Sequence, residues 1–179
     1  MRDKRNNQWL LSLTLGIVLA ISTGCSSNSS TPAPPASTTG LTVTVTTSTA
    51  GGSYAPRNVV AIWVENSAGT YIKTLTVYAA ARQSDLTNWS TSSGGNKVDA
   101  VTGATQNNTG TIYGVWNGTD VAGKLVADGS YKVCMEFTDK NGTGNFSTFT
   151  FTKGATAATL TPANVASFSS ISLKWVPLI

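Results

Sequence analysis

Residues 97–137 read KVDAVTGATQNNTGTIYGVWNGTDVAGKLVADGSYKVCMEF, and this stretch decides the fold. Residues 111–116 and 131–137 alternate in the manner of strands. Between them, Asn117-Gly118, Asp120, Gly123 and Asp128-Gly129 supply turn chemistry at short intervals. A strand, a punctuated turn and a second strand belong to the middle of an all-β sandwich. In residues 131–137 the apolar face is Tyr131, Val133, Met135 and Phe137. Cys134 falls on the other face beside Lys132 and Glu136, where a half-covered small residue is expected. Nothing adjacent in sequence marks its thiol as activated.

Outward from this stretch the same grammar repeats. Residues 41–47 alternate LTVTVTT, a half-buried strand. Residues 58–65, NVVAIWVE, are apolar on both faces, which fits a central strand. After the Ser67-Ala68-Gly69 turn, TYIKTLTVY at 70–78 returns as the second arm of a hairpin. The spacing of Ala79, Arg82, Leu86 and Trp89 predicts one or two helical turns, with Leu86 and Trp89 plugging an open end of the sandwich. Asp139-Lys140-Asn141-Gly142 signals a tight hairpin. Residues 145–152 and 168–176 alternate again, the latter placing Phe168, Ser170, Ser172 and Lys174 opposite Ser169, Ile171, Leu173 and Trp175. Seven or eight short strands predict an immunoglobulin-like β-sandwich over residues 41–179. Trp63, Trp116 and Trp175 are expected in or at the edge of its core. Exposed tryptophans would instead form a carbohydrate platform.

Ahead of the sandwich lies a targeting segment. Arg2, Lys4 and Arg5 precede an apolar run at 9–21 that is too short to span a membrane. Ser22-Thr23-Gly24-Cys25 follows. This resembles a bacterial lipobox, which implies a signal peptide over residues 1–24 and a diacylglycerol anchor on Cys25. Position 22 is Ser where the pattern usually has Leu, so cleavage near Gly24 with an unmodified Cys25 is the alternative. Residues 26–40 are rich in Ser, Thr and Pro and hold too little apolar surface to fold, so 25–40 reads as an extended, disordered leash. Ser26 fits sorting of such lipoproteins to the outer membrane. With Cys25 acylated, Cys134 has no disulfide partner.

Composition removes several classes of function. The chain has no histidine, so Ser-His-Asp and Cys-His catalysis and His-ligated zinc are excluded. Three of its 12 basic and one of its 8 acidic residues lie in the targeting segment, leaving nine against seven and a net charge of +2 rather than +4. No basic cluster remains in the body of the chain, which argues against nucleic acid as a partner. Asp120 and Asp128 lie near enough in sequence for a calcium site, although turn chemistry already accounts for both.

The run Trp116-Asn117-Gly118-Thr119-Asp120, Gly123, Asp128-Gly129-Ser130-Tyr131 resembles the turn pattern of the immunoglobulin-like domain in flagellar hook-capping proteins. More widely, GGSYAPRNVVAIWVENSAGTYIKTL, VDAVTGAT, VWNGTDVAGKLVADGSYKVCMEF and the Phe151-Thr152-Lys153-Gly154 segment resemble domain of unknown function family 2271, a predicted periplasmic family. Separately, Asp99-Ala100-Val101-Thr102-Gly103-Ala104-Thr105 is similar to the D-x-x-[ST]-G-A-T acceptor of bacterial flavin transferases. That resemblance implies FMN esterified to Thr105. Asp99 would orient the loop, Thr102 would hold the fixed Ser/Thr position, and Gly103 and Ala104 would leave room for transferase and flavin. Read as structure alone, the same loop is braced by Asp99 and by the hydroxyls of Thr102 and Thr105. Two functions follow. The first is a lipid-tethered, non-catalytic module that binds or scaffolds an envelope protein on the periplasmic side of the outer membrane. The alternative is an extracytoplasmic electron carrier with covalent FMN at Thr105.

Overall fold

The computed structural model describes residues 39–178. The expected signal peptide, the acylated Cys25 and the leash up to residue 38 lie outside the described residues. The described chain forms nine strands and two short helical segments. In chain order these are β1 (Gly40–Thr47), β2 (Val59–Asn66), β3 (Tyr71–Tyr78), a 3-10 turn (Gln83–Asp85), α1 (Thr87–Ser93) and β4 (Val101–Gly103), followed by β5 (Thr111–Trp116), β6 (Gly129–Thr138), β7 (Asn145–Lys153), β8 (Ala158–Leu160) and β9 (Phe168–Val176). They build two sheets with orders β5-β1-β9-β8 and β4-β3-β2-β6-β7. The two extra strands, β4 and β8, have three residues each.

The topology is that of an immunoglobulin-like sandwich. The order β3-β2-β6-β7 matches strands C′-C-F-G, and the β5-β1 pair matches E-B. The position of the first immunoglobulin strand, beside B, is filled from the other end of the chain by β9, which pairs antiparallel with β1. Tyr131, at the start of β6, donates its hydroxyl hydrogen to the Ala127 carbonyl at 2.6 Å, the bond that defines a tyrosine corner. The interior between the sheets holds Leu41, Val43 and Val45 from β1, Val60, Ile62 and Val64 from β2, and Val133, Met135 and Phe137 from β6. Trp116, Tyr131, Phe151 and Trp175 meet at one end of it, with ring centroids 5.3 to 6.4 Å apart. The two indole N–H groups there donate to the carbonyls of Thr119 and Gly154, so burial leaves neither unpaired.

Three expectations need correction. The alternation of β9 is interrupted: Thr44 pairs with Ser172 but Thr46 pairs with Ser169, so Ser170 and Ile171 together oppose Val45. Ser170 takes a φ of 49° at this bulge. The extra residue shifts the phase and turns Phe168 inward with Ile171, Leu173 and Trp175. Secondly, Leu86 and Trp89 do not plug an end of the sandwich. They pack on the outer face of the five-stranded sheet with Val59, Ala61, Trp63, Val77, Ala79 and Cys134. Because β2 is apolar on both faces, its outward face also needs cover, and α1 provides it. Thirdly, Cys134 is not half-covered but fully buried beneath that helix.

Asp139 does more than initiate the β6–β7 hairpin. It is fully buried, and its carboxylate accepts hydrogen bonds from the Thr49 hydroxyl and from the N–H groups of Ala50 (3.0 Å) and Gly52 (2.9 Å). The loop after β1 thus closes around one carboxylate. Gly52 comes so close that a Cβ there would lie 2.1 Å from the Asp139 carbonyl oxygen.

Candidate functional site

The segment singled out in the sequence, Asp99–Thr105, runs along the outer edge of β3. Part of it is not loop: Val101–Gly103 is β4 and pairs parallel with Thr76, Val77 and Tyr78. Asp99 adopts a φ of 55° and directs its carboxylate to the Lys73 ammonium at 3.1 Å. Lys73 is buried, with the Thr119 hydroxyl 3.4 Å and the Asp120 carbonyl 3.5 Å away, so Asp99 neutralises a cation that β3 holds inside the fold. Thr102 is exposed on β4. Gly103 lies against the ring of Tyr78, where a Cβ would come within 2.6 Å of the ring. Ala104 is exposed. The Thr105 hydroxyl donates to the Ala81 carbonyl (3.0 Å) and accepts from the Ala81 N–H (3.2 Å). Gln106 then exchanges backbone hydrogen bonds of 2.9 Å in both directions with Asn58. The structure therefore strings the five motif residues along one sheet edge; the Asp99 and Thr105 side chains brace that edge, while the Thr102 side chain, expected to brace it too, is exposed on β4. Val77, Ala79, Ala80, Lys97, Thr102 and Gly103 line a shallow hollow of about 300 Å³ beside it.

A larger cleft was not anticipated from sequence. It lies on the outer face of the five-stranded sheet, beside α1, with a volume of about 670 Å³. Trp63 lies fully buried beneath it, covered in part by the exposed Phe146 of β7, which stacks on it at 5.6 Å and 17°. Glu65 closes one side: its Oε1 accepts from the Trp63 indole N–H at 2.8 Å and from the Ser92 hydroxyl at 2.6 Å. Thr87, Asn88 and Thr91 of α1 and Tyr71 complete the rim. An aromatic wall beside hydroxyl and amide groups suits contact with a polar loop or a small polar ligand. The signal in the sequence was the doubly apolar β2, which implied that something must pack outside it.

The helix that forms the cleft is short and begins without help from its own N-cap, since Leu86 offers no side-chain bond. Its free N–H groups are met from the sheet instead. The buried Glu136 of β6 accepts from Asn88 N (3.1 Å), Asn88 Nδ2 (2.8 Å) and Trp89 N (2.8 Å). Beneath α1, burial pushes the Cys134 thiol well above its ordinary value of 9.0, the charge and hydrogen bond of Glu65 push it further, and Lys132 opposes them. Only the unfolded chain ionises this thiol readily, so its contribution to stability is fully present below pH 9.0 and declines as pH rises beyond it. We expect the unfolding midpoint in urea to fall between pH 9 and 10.5, and this part of the fall to vanish in Cys134→Ala. An unchanged slope in that variant would contradict the assignment.

Other sequence readings are settled by packing. Trp63, Trp89, Trp116 and Trp175 are all buried, so the carbohydrate platform of exposed tryptophans does not form among the described residues. Asp120 Oδ1 accepts from the N–H groups of Ala122 and Lys124, both at 2.9 Å, and Asp128 is paired with Lys153. The two carboxylates hold the turn between β5 and β6 rather than converging on a cation.

No curated protein and no solved structure matches the chain significantly. A family model does, over residues 40–166, a span that starts with β1 and ends just before β9. On that match, the chain belongs to the family described as predicted periplasmic protein, domain of unknown function 2271 (DUF2271).

Proposed function

We propose that the chain is a lipid-anchored sandwich of the bacterial envelope, held through Cys25 on the periplasmic side of the outer membrane and acting as a non-catalytic binding or scaffolding module. The family description supports the extracytoplasmic location. The observation that carries the reading is where the buried charges go. Glu136 caps α1, Asp139 closes the loop after β1, Lys73 pairs with Asp99, and Lys153 pairs with Asp128. Each holds backbone or loop in place, whereas catalytic acids and bases are groups left poised toward an open site. Surface remains for contact, and the cleft beside α1 is the place for it.

Intact mass of the protein isolated from the envelope of its host tests the reading. The expected mass is that of residues 25–179 plus an acylated cysteine, and Cys25→Ala should shift the protein to the soluble fraction. An unlipidated mass in the soluble fraction would overturn the anchor. An added mass equal to FMN less one water, the increment of a phosphoester, that disappears in Thr105→Ala would replace the module with the electron-carrier reading, which rests on the motif alone.

A further inference from the structure

We propose that β7 pairs with β7 of a second copy of this chain, antiparallel, joining two five-stranded sheets into one across a two-fold axis at Phe149. The inference does not depend on the anchor or on the cleft. β7 ends the order β4-β3-β2-β6-β7, so one row of its backbone N–H and C=O groups faces away from β6. Proteins usually keep such an edge single by making it short, bulged, interrupted by proline or charged. β7 has none of these devices over its first eight residues. It is nine residues long, reads NFSTFTFTK, and its register with β6 runs unbroken from Asn145 to Lys153. Its single charge, Lys153, is buried and turned onto Asp128.

The other edges are handled differently. β4 and β8 have three residues each. The β5 edge is partly satisfied from the facing sheet, because the Thr76 hydroxyl donates to the Tyr113 carbonyl at 2.6 Å. Among the described edges β7 is the longest, its register is unbroken, and its first eight residues carry no charge.

The sequence of β7 also says what fits it. Even-numbered residues face outward with Cys134 and Glu136, and odd-numbered ones face the sandwich interior with Val133 and Met135. Antiparallel pairing about Phe149 sets Thr148 of one copy against Thr150 of the other and Phe146 against Thr152, all on the outer face. On the inner face it sets Ser147 against Phe151 and Phe149 against Phe149. Each copy thus keeps inward residues opposite inward residues, which a slip of one position would destroy. Thr–Thr, aromatic–Thr and aromatic–aromatic cross-strand pairs are the favourable kinds, and no like charges meet. The half-buried Phe149 also lines a groove of about 470 Å³ with Leu160 and Pro162, open at this edge, over which the inward side chains of an added strand would lie. Because each copy spends the same edge, the contact closes at two copies.

Cysteine pairing in the full chain tests this. Thr148 and Thr150 are exposed, so Thr148→Cys and Thr150→Cys should leave the fold intact, and Cys134 is buried. Two differently tagged full-length chains, one with each substitution, are co-produced and oxidised in cells. The mixed disulfide is expected to exceed the product of either variant alone severalfold, and to exceed that of Thr148→Cys with Ser67→Cys, an exposed position in the turn after β2. Equal yields across these combinations, or a product whose mass is not that of two copies, overturn the proposal. As an independent arm, Thr148→Lys with Thr150→Lys places lysines opposite one another across the axis. The detergent-extracted chain should then sediment as one copy where the unmodified chain sediments as two. A pair that survives four facing lysines, in a variant with unchanged circular dichroism, also overturns it.

Discussion

Trp89→Ala is expected to cost roughly 3–5 kcal/mol of unfolding free energy, read as a large drop in urea midpoint. Trp89 is fully buried between α1 and the sheet, in one cluster with Val59, Ala61, Trp63, Val77 and Cys134. Truncation removes the largest side chain that α1 contributes and leaves a cavity that a helix of seven residues can collapse into only partly. It also strips the indole N–H from the Thr74 hydroxyl, 2.9 Å away. Trp89→Phe separates the two effects. It restores most of the apolar volume but not the hydrogen bond, so about 1 kcal/mol of the loss should persist. A Trp89→Ala loss below about 1 kcal/mol, the size of an ordinary surface or partly buried change, would show that α1 is not part of the core.

Glu136→Ala is expected to cost about 3 kcal/mol, because it leaves two backbone donors of α1 buried without an acceptor. The carboxylate has no exposed surface, and its three closest bonds all go to Asn88 and Trp89. Glu136→Gln retains one acceptor oxygen and should lose roughly half as much. Hydrogen exchange localises the effect. Amides of residues 87–93 should lose protection in Glu136→Ala while those of β2 and β6 keep theirs. Uniform loss across the sandwich, or none, would contradict the role given to this carboxylate. Since both substitutions release the same helix, their combined cost should be clearly less than the sum, the mark of a shared structural unit.

These two residues also show how far reading along the chain reaches. Glu136 is one polar letter in the outward phase of β6, next to Lys132 and Cys134, and alternation alone marks such a position as solvent-facing. Its burial comes from α1, whose sequence begins 49 residues earlier with Thr87 and shares no local pattern with β6. The helix itself was visible in the spacing of Leu86 and Trp89, but not the surface it would cover. In the same way Asp139 carried an unmistakable hairpin signal, while its bonds to residues 49–52 reach back 87 to 90 positions along the chain.

The motif at 99–105 illustrates a different limit. Its letters match an acceptor sequence, and they also match what this edge needs: an acid for the buried Lys73, a glycine under the Tyr78 ring, and a hydroxyl for both polar atoms of the Ala81 backbone. One string of residues satisfies two physical descriptions. The partners that give it the structural description lie 20 or more residues away in the chain.

Period-two patterning and turn chemistry act between near neighbours, so the β class, the hairpins 59–78 and 129–153, the inward sets of β1 and β6, and the turns around Asp120 and Asp128 can be read along the chain. What the tertiary structure alone decided is which second layer covers the outer face of β2, which buried charge answers which donor, and which strand is left as an uncovered edge. Those outcomes depend on contacts between segments far apart in the chain, and no local spacing encodes them.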